Sequence, residues 1–196
     1  MAHLPMALPL GVFLTVFRNI KVLRLGDNFR LKPATSFRAP TKASLDGLPS
    51  LHTIETSKVP FFYHFRKVPF PSLPTLHVRN ENFVDWRFVY HLLQFLPTCG
   101  GNIKRLTIFG TVVEPYAGNI ARALHKFMKL EEIVMDVIDL YRLLPFDPPL
   151  HPLVTELTLT NYAPNSFPSA NNFHESLIPN LSARFPRWKS CAGWGM

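Results

Sequence analysis

An apolar triplet with the spacing L-x-x-L-x-L recurs along the chain, and no other feature constrains the fold as tightly. Ile20, Leu23 and Leu25 form one copy; Leu51, Ile54 and Thr56 form the next, its last position weakened to Thr. Leu73, Leu76 and Val78 follow, then Ile103, Leu106 and Ile108 within the stretch NIKRLTIFG. Leu130, Ile133 and Met135, and then Val154, Leu157 and Leu159, complete six copies, and RWKSC (Trp188, Cys191) would begin a seventh. The first positions are separated by 31, 22, 30, 27, 24 and 34 residues. Self-similarity at a spacing of about 20–50 residues marks stacked repeats, each a unit that completes its core only against a neighbour.

Numbering the first Leu as position 1, positions 4 and 6 lie two residues apart and point to the same side of a strand, while positions 3, 5 and 7 point to the other. The pattern therefore predicts short strands near residues 20–26, 51–57, 73–79, 103–109, 130–136 and 154–160, and a seventh near 188–191. Each strand is followed by a turn and a returning segment. Asn28, Asn80 and Asn161 stand where that turn would begin, and Asn side chains bond nearby backbone groups in turns. In GNIARALHKFMKL, Ile120, Ala123, Leu124, Phe127 and Met128 share one helical face; in VDWRFVYHLLQFLP, Trp86, Val89, Tyr90, Leu93 and Phe95 or Leu96 do so. ESLIPNLSARFP reads as a third returning helix, with Pro179 near its first turn or at a kink. The 19 Pro argue against long helices and for short elements.

Length and composition fit this picture. A chain of 196 residues is expected to form one domain, residues 1–196, burying roughly 70% of the surface its unfolded form exposes. With 47% hydrophobic residues it is too apolar for disorder. The opening MAHLPMALPLGVFLTVFRN has an apolar run suited to a signal peptide, but it lacks a Lys or Arg before that run and an A-x-A-like cleavage site, and Pro5 and Pro9 interrupt it. At roughly 13 residues the run is too short to span a bilayer, and a core helix is the stronger reading. Cys99 and Cys191, far apart and in no metal-binding spacing, suit a reducing compartment. A cytoplasmic or nuclear location is therefore expected, with secretion the weaker reading.

The formal charge of +8 is uneven: residues 1–98 carry 12 Lys and Arg against 5 Asp and Glu, and residues 99–196 carry 9 against 8. Much of the excess lies in a Pro/Ser/Thr-containing loop, residues 28–47, with Arg30, Lys32, Arg38 and Lys42, which reads as a solvated segment. The sequence contains no G-x-S-x-G, no phosphate-binding G-x-x-x-x-G-K, no H-E-x-x-H and no paired Cys for zinc. The adjacent Glu131 and Glu132 would face opposite sides of a strand, so they form no catalytic pair. No enzyme, cofactor or metal is expected.

The triplets, the phrases LPSL (Leu48–Leu51) and FPSL (Phe70–Leu73) and the irregular repeat lengths resemble the leucine-rich-repeat region of fungal F-box-like proteins. The resemblance covers roughly residues 12–190, with the F-box itself absent. It implies an α/β fold, an irregular leucine-rich-repeat solenoid with short parallel strands on its concave side and helices or irregular segments on its convex side. It also implies a non-enzymatic, protein-binding role: substrate recognition in an F-box-type ubiquitin ligase, or a truncated relative unable to dock the adaptor. An ordinary α/β sandwich whose strands share a Leu pattern is the competing architecture.

On either architecture, function would lie on the outward positions. Arg24, His77, Arg79, Arg105, Thr107, Phe109, Glu132, Asp136 and Glu156 are the candidate partner-binding residues. They would make a face that is basic over the first four strands and acidic over the last two, with Phe109 an apolar anchor near the crossover. Charge of this kind steers a protein partner and a buried aromatic supplies affinity. Nucleic acid is the alternative partner, favoured by the positive charge and disfavoured because the aromatics fall at core spacing.

Overall fold

Positions 4 and 6 of each triplet need one buried side, and a strand pairing with its neighbour in the chain supplies it at the lowest loop cost. The structure, a computed structural model, describes residues 8–25, 31–32, 47–56, 59–66, 68–79, 86–109, 114–143, 145, 153–160, 181, 185, 187 and 190–192. Strand β1 (Leu8–Pro9) leads into helix α1 (Leu10–Val16), β2 (Val22–Leu25), β3 (Leu31–Lys32) and β4 (Thr53–Thr56). Then come α2 (Val59–Phe65), β5 (Thr75–Arg79), α3 (Trp86–Phe95) with a 3-10 segment Leu96–Asn102, β6 (Arg105–Phe109) and α4 (Glu114–His125). β7 (Glu132–Asp136), α5 (Val137–Leu143), β8 (Glu156–Thr160) and β9 (Ser190–Ala192) complete the order.

The fold is α/β. Seven strands form one sheet in the order β2-β4-β5-β6-β7-β8-β9, all parallel, so each strand pairs with the next sheet strand in the chain. Parallel neighbours require a crossover, and α2, α3, α4 and α5 lie in the crossovers between β4 and β8. β1 and β3 make a separate two-stranded parallel pair, through Leu8–Leu31 and Pro9–Lys32. Apart from these two residues of β3 and from Gly47, the basic loop 28–47 lies outside the described residues.

Register follows the sequence pattern without offset. Leu23, Ile54, Leu76, Leu106, Ile133, Leu157 and Cys191, all position 4, stand opposite one another along the sheet. All except Cys191, whose side chain lies outside the described residues, are buried. Position 6 does the same with Leu25, Thr56, Val78, Ile108, Met135 and Leu159, and there Thr56 is buried at 3%.

The backbone ahead of each strand repeats as well. The position 2 carbonyl of Lys21 accepts from the N–H groups of His52 and Thr53, that of Pro74 from Lys104 and Arg105, that of Lys104 from Glu131 and Glu132, and that of Glu131 from Thr155 and Glu156. Pro74 has no N–H, so the His52 carbonyl receives Thr75 alone, at 3.1 Å. The strands begin at position 3, and in four repeats position 1 closes a turn ahead of the strand. The N–H of Ile20, Leu51, Leu73 and Leu130 each bonds the carbonyl three residues back, on Phe17, Leu48, Phe70 and Phe127. The phrases LPSL and FPSL are two of these turns, and FRNI and FMKL are two more.

The returning helices bury one face each against the sheet. α2 contributes Phe61, Phe62 and Phe65, and α4 contributes Ala117, Ile120, Ala121 and Leu124. Of the face expected for α3 and its end, Val89, Phe95 and Leu96 are buried and Leu93 is half-buried, while Tyr90 is 45% exposed; Phe88 and Leu92 are buried beside them. Met128, expected in the core, is 63% exposed because α4 has ended at His125 and the chain is already turning into β7. Of the segment ESLIPNLSARFP, Leu181 and Phe185 are described; both are buried, and the Phe185 N–H bonds the Leu181 carbonyl at 2.8 Å.

Aromatic rings bind the first repeats together. Phe61 stacks on Phe65 at 4.5 Å between centroids and meets Phe62 and Phe95 edge-on, while Phe13 of α1 reaches Phe65 at 5.6 Å. Phe70 joins Phe65 and Phe95. Such pairs add about 0.5–1.5 kcal/mol each beyond the area they bury. Cys99 lies in the same core, and burial holds its thiol far above the ordinary range.

Adjacent turns approach closely at Gly47, which precedes the Leu48 turn and has φ 62°. A Cβ there would lie 1.9 Å from the carbonyl oxygen of Pro69, the residue that precedes the Phe70 turn. Gly47→Ala should therefore lower stability by more than the ~1–3 kcal/mol of left-handed strain alone, measured by urea denaturation. Gly11→Ala in α1, where a Cβ meets nothing within 4 Å, should leave stability unchanged or raise it by up to about 1 kcal/mol.

Candidate functional site

The shared register arranges the outward residues in rows that run across the strands. Position 3 reads Val22, Thr53, Thr75, Arg105, Glu132, Glu156; position 5 reads Arg24, Glu55, His77, Thr107, Val134, Thr158. At position 7, Arg79 stands beside Phe109 and Asp136 beside Thr160. All nine candidate residues belong to this one side of the sheet. From Arg24 on β2 to Glu156 on β8 is five strand steps, or about 24 Å at the usual spacing. That is an extended surface rather than a pocket.

Within each row, neighbours bond laterally. Arg24 pairs with Glu55 at 3.0 Å, and the Arg105 guanidinium pairs with the Glu132 carboxylate. At position 2, along the rim of the face, Lys104 meets Glu131 at 3.4 Å. The Arg24 and Lys104 pairs are exposed at both ends and contribute little, at most about 1 kcal/mol each. The Glu132 side chain is 16% exposed, so its carboxylate depends more on Arg105. Lateral pairing changes the expected split between a basic and an acidic half: Glu55 sits within the basic half, and the Arg105–Glu132 pair spans the crossover.

His77 occupies the middle of the face, its Nδ1 2.7 Å from Thr107 Oγ1. Burial, first of all, pushes its pKa down; Arg105 and Arg24 add to that, while Glu55 and Glu132 oppose it. Thr107, expected to face a partner, is only 7% exposed beneath this contact. Asp136 is 5% exposed, and its carboxylate accepts from the Thr160 hydroxyl at 2.8 Å. The cause is local: β7 runs directly into α5 at Val137, which leaves Asp136 at a covered junction. Thr107 and Asp136 shape the face from below.

Phe109 is half-buried and lies under Arg79, whose guanidinium carbon is 5.3 Å from the ring centroid. This cation–π contact makes the two a single amphipathic feature, with a flat charged group capping an apolar one. Val22, Arg24, Glu55, Arg79, Arg105 and Glu156 are the exposed members of the face. Glu55 and Thr160 were not among the candidates; their roles follow from being one row-neighbour away from Arg24 and Asp136, a relation only register reveals.

Among the described residues, no three His, Cys, Asp or Glu side chains come close enough to hold a metal ion, and no helix is long and apolar enough to cross a membrane. Comparison of the chain with protein-family models, with curated proteins and with solved structures finds no match.

The lowered pKa of His77 has a signed consequence. A histidine whose folded-state pKa lies below its unfolded value of 6.5 gives stability that is fully present above about pH 6.5 and is lost as the pH falls through the lower folded value. His64, lowered by burial and by Arg66, acts in the same direction. The urea midpoint should therefore fall between about pH 7 and pH 5, and His77→Gln should flatten that slope. A slope unchanged in His77→Gln would show that His77 is not the group responsible.

Proposed function

We propose that this chain is a non-enzymatic leucine-rich-repeat protein that docks another protein on its sheet face. The observation that carries the reading is the unshifted register of repeats along a parallel sheet in chain order. Nearest-neighbour stacking of this kind is how solenoids are built, and solenoids use the side on which their strands lie, concave in this reading, for binding. The face presents exposed charges around one capped aromatic, and its length suits a protein surface better than a small molecule. Phe109 with Arg79 is the anchor, Arg24, Arg105, Glu132 and Glu156 set register with the partner, and His77, Thr107 and Asp136 hold the surface in shape.

The resemblance to the leucine-rich-repeat region of fungal F-box-like proteins suggests the biological role, substrate recognition for an F-box-type ubiquitin ligase or that of a relative that binds without delivering to a ligase. A nucleic-acid-binding role has less support, because Arg24, Lys104 and Arg105 already face carboxylates and Phe109 lies under Arg79 rather than open for stacking.

Reversal of the two central cations, Arg79→Glu with Arg105→Glu, should reduce capture of a partner from native cells by on the order of tenfold or more while the circular dichroism spectrum is unchanged. Capture equal to wild type would remove the face from the proposal. Partners captured through the face should gain half-life when the protein is depleted if the ligase role holds; an unchanged half-life would leave docking without delivery. Retention of RNA or DNA that falls steeply with salt would favour the nucleic-acid role instead.

A further inference from the structure

A second surface lies on the helical side, away from the sheet face. Between the end of α3 with its 3-10 segment and the C-terminal half of α4 runs a groove of about 540 Å³. Leu93, Leu96, Ala123 and Phe127 form its apolar floor, and Arg122 and Lys126 stand on one edge. These two cations are four residues apart, on the same side of α4 and the turn that follows it. Among the described residues, no carboxylate lines the groove. Asn119 Oδ1 accepts from Arg122 Nη2 at 2.6 Å, which anchors the guanidinium at the rim and leaves other donors of its fork to a ligand. The opposite edge includes Gly101, where a Cβ would meet nothing within 4 Å. The missing side chain keeps the groove open.

We propose that this groove binds an acidic peptide segment that inserts one or two large apolar side chains between α3 and α4. The volume falls within the usual range for ligand sites, about 300–1,000 Å³. The floor takes apolar groups, while Arg122 and Lys126 select carboxylates flanking them; a bidentate Arg contact adds geometry to charge. The groove is open along one side. An acyl chain would leave methylenes in water there, forfeiting about 0.8 kcal/mol for each one not buried. A peptide instead presents its apolar side chains on one face and keeps its backbone hydrated. Nucleic acid fits less well because the one aromatic ring in the lining, Phe127, is 2% exposed and offers no stacking face.

Fluorescence anisotropy on the full chain tests the proposal. The probe is a fluorescein-labelled peptide of about ten residues, Asp and Glu with one Leu and one Phe on the same side, and its counterpart has Asn and Gln in place of the acids. The acidic probe should bind at least about tenfold more tightly than the neutral one, a difference of about 1.4 kcal/mol. R122E/K126E should reverse the preference toward a Lys-containing version, and G101W should abolish binding of all versions while thermal unfolding stays as in wild type. R79E/R105E, on the other side of the molecule, should leave binding unchanged, which separates this site from the sheet face. Equal binding of acidic and neutral probes overturns the proposal, as does intact binding in a folded G101W. So does binding of a tail-labelled stearate in place of the peptide, or no binding of the acidic probe up to about 1 mM, the weak limit for a specific site. Should G101W not fold, the charge-reversal variant alone decides, since both its sites are exposed.

Discussion

The carbonyl at position 2 of one repeat, receiving N–H groups at the start of the next, is the interaction on which the remaining structure depends. It is made entirely of backbone, and it recurs on Lys21, His52, Pro74, Lys104 and Glu131. By fixing where each strand begins against its neighbour, it sets the whole sheet in register. A slip of one residue would carry Leu106 and Ile108 to solvent and Arg105 into the core, so the hydrophobic pattern and the carbonyl ladder enforce the same alignment. The turns reinforce it from behind, where Leu48, Phe70 and Phe127 are buried and their carbonyls cap the entry to β4, β5 and β7.

Once register is set, chemistry on the open side becomes a matter of adjacency across strands rather than along the chain. Arg24 finds Glu55, Arg105 finds Glu132 and Arg79 finds the ring of Phe109 because each pair shares a row. These contacts hold long side chains in place before any partner arrives, which lowers the entropy a complex would have to remove on binding. They also make the surface more mixed in charge than the totals for the two halves of the chain suggest.

The triplets were legible because burial demands Leu, Ile or Val at two fixed offsets, and parallel pairing in chain order follows from strands separated by helix-length segments. Less legible was the role of position 1, which belongs to a turn; the Φ-x-x-Φ entry is obvious in LPSL and FPSL, but FRNI and FMKL hide it behind charged middle residues. The face of α3 misleads in part because Tyr90 looks like core, whereas a run rich in large apolar residues admits two nearly equal faces and tertiary packing against Phe62 and Phe70 chooses between them. The covering of Asp136 was illegible for a different reason: nothing in MDVID marks the abrupt change from β7 to α5. In the face itself, the residues could be named from the alternation, but their partners could not, because lateral neighbours are 22 to 31 residues apart in the chain.

At position 2 the chain carries Lys21, His52, Pro74, Lys104, Glu131 and Thr155, six residues with no common side-chain chemistry. Since the ladder there asks only for a carbonyl, side chains along this rim and across the open rows can be exchanged without moving the strands that carry them. Descendants of such a chain can thus change what the surface says while keeping the page on which it is written, and selection for a new partner need not first pass through a loss of the fold.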